Sequence, residues 1–400
     1  MSGSNTVNGA GFGAAREIPV FQPYIGVDTL KAITDALDVG WLGMGAGTKQ
    51  FEDEIAAFLG LKERHVVATN TGTSALHLAL LVAGVGPGDE VITPSFNFVA
   101  DHQAITAVGA EPVLCDIRES DLGIDCASAE ALITPRTKAI LPLHYAGIPC
   151  DLSGVYALAE RHGLRVIEDA THAFGTVVDG APIGSRGDIV CFSFDPVKVI
   201  TSIDGGALVV PSAEEAARAQ QMRLLGIDKD TTERYKNQRA WDYDVVSQGF
   251  RYHLTNMNAA VGRSQLQRVP EFIANRQSYC RLYNMLLSGT EGIVTPSTDF
   301  GGISPFIYFV RVVEDCRQEL IAHLRARGVA TGIHWNPVHR TSFYQGCRRG
   351  DLSVTERVGG QVLTLPLHSY MRTETVERIA VEVRRFIVIR ENAQPFGAAA

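Results

Sequence analysis

Short apolar runs alternate with stretches of helical period over the first two-thirds of the chain. "VDTLKAITDALDVG" (27–40) carries apolar residues near helical spacing and stops on Gly40, a fitting left-handed C-cap. "TKQFEDEIAAFLGL" (48–61) reads as a second amphipathic helix with Thr48 as its N-cap. Strand and helix patterns then take turns: "HVVATN", "GTSALHLALLVAG", "EVITPS", "NFVADHQAITAVG", "EPVLCDI", "AEALITPRT", "KAILPLHY", "LSGVYALAERHG" and "LRVIEDA". Strands that alternate with helices of about 10–13 residues make crossover units, which predicts an α/β fold around a mostly parallel, doubly wound central sheet. The Val/Ile/Leu runs lack a period of two, as strands covered on both faces do.

After "IVCFSF" and "ALVV" the pattern loosens into a charged stretch, "GIDKDTTERYKNQRAWDYD", which reads as mobile. A long helical pattern follows, "TNMNAAVGRSQLQRVPEFIANRQSYCRLYNMLLSG", and breaks near Pro270. That break suggests a large α/β domain over 18–266 and a smaller C-terminal α+β domain over 267–400. In the latter, "FIYFVRVV" reads as a strand, and "CRQELIAHLRARG" and "TETVERIAVEVRRFI" as helices. Residues 1–17, small, polar and glycine-rich, read as a disordered leader without the basic start and apolar core of a signal peptide. No period of roughly 20–50 residues recurs, which removes solenoids and propellers.

Composition narrows the partners. A net charge of −8 argues against a nucleic-acid binder, whose affinity rests on neutralising phosphates. No apolar run reaches the roughly 18–20 residues of a membrane span. The seven cysteines are scattered without a C-x-x-C pair, as expected of reduced thiols in a cytoplasmic protein with no disulfide framework or zinc site.

In open parallel sheets, ligands bind where strands end and helices begin. Four segments bring polar groups to that edge. "VVATNTGTSALHLAL" runs from strand to glycine to helix, so Gly72, Thr73 and Ser74 offer N–H groups and hydroxyls for an anion; a plain N-cap is the alternative. "LRVIEDATHAFG" ends a buried strand on Glu168 and Asp169, either of which needs a cation or donor there, and His172 follows as a ligand or a satisfied helix histidine. "TPSFNFVADH" places Phe96 and Phe98 after a strand, as core or as a stacking platform. "CFSFDPVKVITSIDGGALVV" supplies Ser193 and Lys198. A lysine there snorkels to water or, desolvated, acts as an amine that forms a Schiff base with a carbonyl. Each feature alone is ambiguous. Together a phosphate site, an aromatic, a buried acid for a cationic ring nitrogen and an amine for an aldehyde describe pyridoxal 5'-phosphate (PLP).

With those segments in view, the chain resembles the DegT/DnrJ/StrS-type sugar aminotransferases, a branch of the fold type I PLP-dependent transferases. The resemblance spans about residues 18–390 and includes "GWLGMGAGTKQFEDEIAAFLG", "PSFNFVADHQAI", "VIEDATHAFG", "GFRYHLTNMNAAVGRSQL", "HWNPVH" and "LPLH". It implies Lys198 as the lysine holding the cofactor's aldehyde and Asp169 as the partner of the pyridine nitrogen. His172 matches the position beside the 3-hydroxyl, and Gly72, Thr73 and Ser193 the phosphate ligands. Phe98 matches the stacking aromatic and His339 a substrate-side residue. "GFRYHL" resembles "GYNYRM", a segment reaching the phosphate of the partner in a homodimer with shared active sites; Arg251 stands where Asn is usual. Asp195, Ile203, Asp204 and Phe306 also depart from the family pattern, at positions read as tuning substrate fit or loop geometry.

The implied reaction moves an amino group from L-glutamate to a nucleotide-linked keto-deoxysugar. "GFRYHL" is closer to C4-aminating relatives than to the "GYNSRL" type, which favours a 4-keto acceptor. A cyclitol-ketone aminotransferase shares these motifs. A PLP-dependent sugar dehydratase has histidine in place of the lysine, which Lys198 speaks against. A PLP-holding regulator without turnover is the reading outside enzymes.

Overall fold

The computed structural model describes residues 17–393, so the leader assigned to 1–17 lies outside the described residues except for Glu17. Along the chain come α1 (Val27–Val39), α2 (Ala46–Phe58), β1 (His65–Thr69), α3 (Gly72–Val82), β2 (Glu90–Pro94), α4 (Val99–Ala107) and β3 (Glu111–Cys115). They are followed by α5 (Cys126–Glu130), β4 (Thr137–Ile140), α6 (Leu152–His162) and β5 (Arg165–Asp169). A small hairpin, β6 (Val177–Val178) with β7 (Ala181–Pro182), precedes β8 (Ile189–Ser193), β9 (Gly206–Val210), α7 (Ala213–Met222), α8 (Asp230–Arg234), α9 (Asn256–Leu266) and α10 (Val269–Leu287). The remainder comprises β10 (Ile293–Val294), β11 (Tyr308–Val312), α11 (Arg317–Arg325), α12 (Ser353–Gln361), β12 (Val362–Leu365) and α13 (Thr373–Ala393).

Seven strands form the central sheet in the order β1-β9-β8-β5-β4-β2-β3. From β8 to β3 neighbours run parallel, while β9 is antiparallel to both β8 and β1. Both faces are covered, which accounts for strands that read as unbroken apolar runs. Val67, Ile167, Ile189, Cys191 and Leu208 point to the face covered by α3, alongside Leu76 and Leu80. Val66, Val190, Phe192 and Val209 point to the other, with Phe51, Phe174 and Phe272. Each such fully buried side chain contributes about 1.5–3 kcal/mol. A three-stranded antiparallel sheet, β10-β11-β12, forms against a separate cluster that includes Tyr283, Leu320 and Val383. The start of the described chain is tied to this part: Ile18 N–H donates to Gly328 O at 2.8 Å and Ala330 N–H to Ile18 O at 2.9 Å.

Several local expectations change. Helix α2 starts at Ala46 with Gly45 as N-cap, not Thr48; Thr48 is buried, its N–H donating to Asn256 Oδ1 at 3.0 Å. The pattern "AEALITPRT" yields only the short α5, begun earlier by Asp125, whose side chain accepts from Ser128 N–H. The charged stretch read as mobile is anchored at its centre. Tyr235 hydroxyl meets Glu52 Oε2 and the fully buried Arg223 at 2.5 Å each, and Asn237 Oδ1 accepts from Ala46 N–H at 2.9 Å. A buried Glu52–Arg223 pair needs such extra partners to offset desolvation, so the aromatic is drawn in. The long helix breaks between Leu266 and Val269, with Pro270 in the first turn of α10 where its missing N–H costs nothing.

Among the described residues no helix is long and apolar enough to cross a membrane, and no cluster of three or more His, Cys, Asp or Glu is arranged to hold a metal ion. All seven cysteines are unbridged.

Candidate active site

Strand parity decides which side chains meet at the sheet edge. Asp169 continues the phase of Ile167, and Ser193 that of Ile189 and Cys191, so both face α3. Glu168 takes the opposite face, where its carboxylate binds His144 Nε2 at 3.0 Å and the Tyr156 hydroxyl at 2.6 Å. The buried-acid alternatives therefore separate: Glu168 is consumed by a structural network, and Asp169 looks into a cavity of about 320 Å³.

That cavity brings together Gly72, Thr73, Phe98, Asp169, His172, Ser193 and Lys198. A larger space of about 530 Å³ lies between α1, α2 and α9, but its charges are solvated, as in the exposed Lys31–Asp35 pair at 2.7 Å. Size does not identify the site; chemistry does.

Thr71 N-caps α3, its hydroxyl accepting from Ser74 N–H at 2.9 Å while Ser74 Oγ accepts from Thr71 N–H at 3.1 Å. Ser74, considered as an anion ligand, is spent on this reciprocal box. The Gly72 and Thr73 N–H groups, at the positive end of the helix dipole, keep no internal acceptor among the described residues. A Cβ on Gly72 would lie 2.8 Å from Ser193 Cβ, so the glycine permits a close seat for Ser193 beside the helix start. Anion site and N-cap are one structure here. Thr71→Ala should cost about 1 kcal/mol, read as a lowered Tm, because Ser74 N–H loses its hydroxyl acceptor while the Thr71 N–H bond to Ser74 Oγ remains.

Lys198 sits in the hairpin loop joining β8 to β9, where its N–H donates to Asp195 O at 3.0 Å. Its Nζ lies 4.1 Å from the centroid of the Phe306 ring and makes no hydrogen bond or ion pair among the described residues. Desolvation lowers its pKa from 10.5 to about 8, outweighing the opposite pull of Asp169, Asp195 and Asp101. A cation–π contact is a weaker substitute for water, so the free amine is accessible near neutral pH.

His172 lies on a turn rather than in a helix. Its ring meets Phe306 at 4.3 Å between centroids, and its Nδ1 accepts from Ala146 N–H at 3.3 Å. Burial, then Lys198, His334 and His144, hold it well below the usual histidine range. It is neutral, and an occupied Nδ1 lone pair puts the proton on Nε2. Phe98 is 49% exposed and leans on Trp335 at 4.8 Å, whereas Phe96 is fully buried against Tyr145.

Two expected residues are not in this group. Arg251 is exposed, on the segment where Asn70 N–H donates to Tyr252 O at 2.7 Å. His339 does not line the cavity; its Nδ1 is 2.8 Å from Ser95 Oγ and its Nε2 3.2 Å from Glu356. The cavity also holds residues that sequence reasoning passed over: Asp101, Thr71, His334 and Trp335. Trp335 lies in the quoted "HWNPVH", but attention went to the histidine at its end. Asp101 carried no signal beyond its place in "PSFNFVADHQAI".

Comparison with known proteins agrees with this geometry. The model of the DegT/DnrJ/EryC1/StrS aminotransferase family matches residues 23–384. The spore coat polysaccharide biosynthesis protein SpsC of Bacillus subtilis (strain 168) is 36% identical over 379 residues, 92% of this chain and 97% of SpsC. Among solved structures, the aminotransferase TlmJ from Streptoalloteichus hindustanus superposes with a TM-score of 0.87 at 35% identity, covering 94% of this chain and all of TlmJ. The sugar aminotransferase CalS13 from Micromonospora echinospora gives a TM-score of 0.83 at 27% identity, over 92% and 99% of the two chains.

Proposed function

Because this chain belongs to the DegT/DnrJ/EryC1/StrS aminotransferase family, whose members depend on PLP, we propose that it transfers an amino group from L-glutamate to a nucleotide-linked keto-deoxysugar, at C4. The observation that carries the reading is the Lys198 amine, short of water and with no ion pair or hydrogen bond among the described residues, sharing with Asp169 a cavity that reaches a helix N-terminus. CalS13 is described as a sugar aminotransferase and SpsC as a polysaccharide biosynthesis protein, which supports a sugar acceptor. Asp195, Asp204, His334 and Trp335 also line the cavity, a mix of polar groups and an aromatic that suits a ring with hydroxyls.

The residues present fit PLP. The free Gly72 and Thr73 N–H groups with the Ser193 hydroxyl would hold its phosphate, Asp169 its pyridine nitrogen, His172 Nε2–H its 3-hydroxyl oxygen, and Phe98 would cover the ring. When bound, PLP supplies an electron sink that weakens the bonds at the amino donor's Cα. With PLP bound, Lys198 Nζ would hold its aldehyde and would carry the proton taken from the donor's Cα. Asp169 would keep a proton at the ring nitrogen. The Phe306 ring, itself packed on His172, covers the amine on one side.

We assign the protein to the cytoplasm as a homodimer, each chain divided between a larger domain over 18–266 and a smaller one over 267–400, with Arg251 reaching the partner's phosphate. An exposed apolar strip beside that segment, with Trp241 86% exposed and Tyr243, Val245 and Val246 half-exposed, supports an interface there. Incubation with L-glutamate and a panel of nucleotide 4-keto- and 3-keto-sugars, read by mass spectrometry, tests the acceptor. Amination of the 4-keto compounds is the expected result; amination of the 3-keto compounds alone, or of neither, overturns it.

A further inference from the structure

Asp101 enters the cavity from the first turn of α4 and takes no part in the chemistry assigned above. Its side chain is as buried as that of Asp169, at 1% and 3% exposed, and the two carboxyls are neighbours in the wall of the same cavity. Each already has one oxygen engaged: Asn97 Nδ2 donates to Asp101 Oδ2 at 2.5 Å, and Thr171 N–H to Asp169 Oδ1 at 2.9 Å. Two carboxylates cannot both ionise in such a place, since burial and mutual repulsion oppose the second charge. The titratable groups that face Asp101 are Asp169 from β5, Lys198 from the β8–β9 loop and Cys191 from β8, and Lys198 is the one cation among them. Burial first, then Asp169, raises the Asp101 carboxyl well above the usual range, against the smaller pull of Asn97 and Lys198. The Cys191 thiol is also pushed up by burial and stays neutral.

We propose that Asp101 is a positioning residue that remains a neutral acid and donates its proton in a hydrogen bond to Asp169, holding Asp169 as the single anion of the pair and fixing its orientation. The purpose of the arrangement rests on the role proposed for Asp169; the proton on Asp101 does not. Asp101 also differs from Asp169 in origin: it comes from the start of a helix rather than the end of a strand, so the bond ties α4 to the central sheet beneath the cavity.

Infrared spectra of the cofactor-free, full-length protein at pH 7 test the proton directly. The difference between wild type and Asp101→Asn should show the C=O stretch of a protonated carboxyl, with no carboxylate band lost. A lost carboxylate band instead overturns the proposal. Turnover tests the purpose. Asp101→Ala should lower kcat about tenfold, the worth of one hydrogen bond to a charged acceptor, at unchanged KM for L-glutamate. Asp101→Asn, whose amide can donate to Asp169 and accept from Asn97 as the neutral acid does, should recover most of that loss. Equal damage in the two variants overturns the positioning role. If the wild type binds no PLP, the Asp169 reading fails while the infrared result still decides where the proton resides.

Discussion

Lys198→Ala lowers transamination by about 10⁴-fold or more, because one nitrogen serves as both the anchor of the cofactor and the carrier of the Cα proton. No other lysine can substitute, since Lys198 is the one lysine lining the cavity among the described residues. The wild type should show a visible absorbance band with PLP that the variant lacks, and half-reaction kinetics with L-glutamate check the rate. Retention of even a hundredth of the activity sinks the assignment.

The pH dependence has a definite sign. The amine attacks a carbonyl only when neutral, so capture of PLP by the cofactor-free protein climbs with pH up to about 8 and levels above. Stability follows the same group. The folded pKa is about 8 against the usual 10.5, so between those values the unfolded chain holds a proton that the folded protein has released. Stability of the cofactor-free protein therefore gains with rising pH across that window, and the penalty of burying the charge is fully present below it. Lys198→Ala should lack this gain, measured as the difference in Tm between the two proteins from pH 7 to 10.

Asp169→Asn is the second large effect, a loss of about 10²–10³-fold in kcat, typical of deleting one preorganised electrostatic partner of a reacting centre. The substitution keeps size and the Thr171 N–H bond but removes the negative charge that keeps a proton on the ring nitrogen. Glu168 cannot compensate, because it faces away and is held by His144 and Tyr156. Measured with saturating L-glutamate, the drop should appear in kcat. A variant retaining more than a tenth of the wild-type kcat contradicts the role.

Much of this was legible beforehand. The alternation of apolar runs and helical periods predicted the doubly wound sheet, since period and turn chemistry are written in near neighbours. The sheet edge, the glycine at the start of α3 and the lysine between two strands pointed to the cavity for the same reason. Thr48 was misread as a cap because a buried threonine and a capping threonine look alike in one dimension; the contact with Asn256 that distinguishes them is 208 residues away. His339 looked like a substrate residue from its motif, and its ties to Ser95 and Glu356 depend on two other segments.

By itself, then, the sequence determined the fold class and pointed to Gly72, Thr73, Phe98, Asp169, His172, Ser193 and Lys198, which share one cavity, because strand and helix periods, caps and residue chemistry are local. Only the tertiary structure decided which acid of the Glu168–Asp169 pair faces the cavity, that Phe306 lies under the Lys198 amine, and that Asp101 meets Asp169. The physical reason is burial on both faces: a strand covered on each side shows no polar alternation, so its phase is set by what the rest of the chain packs against it.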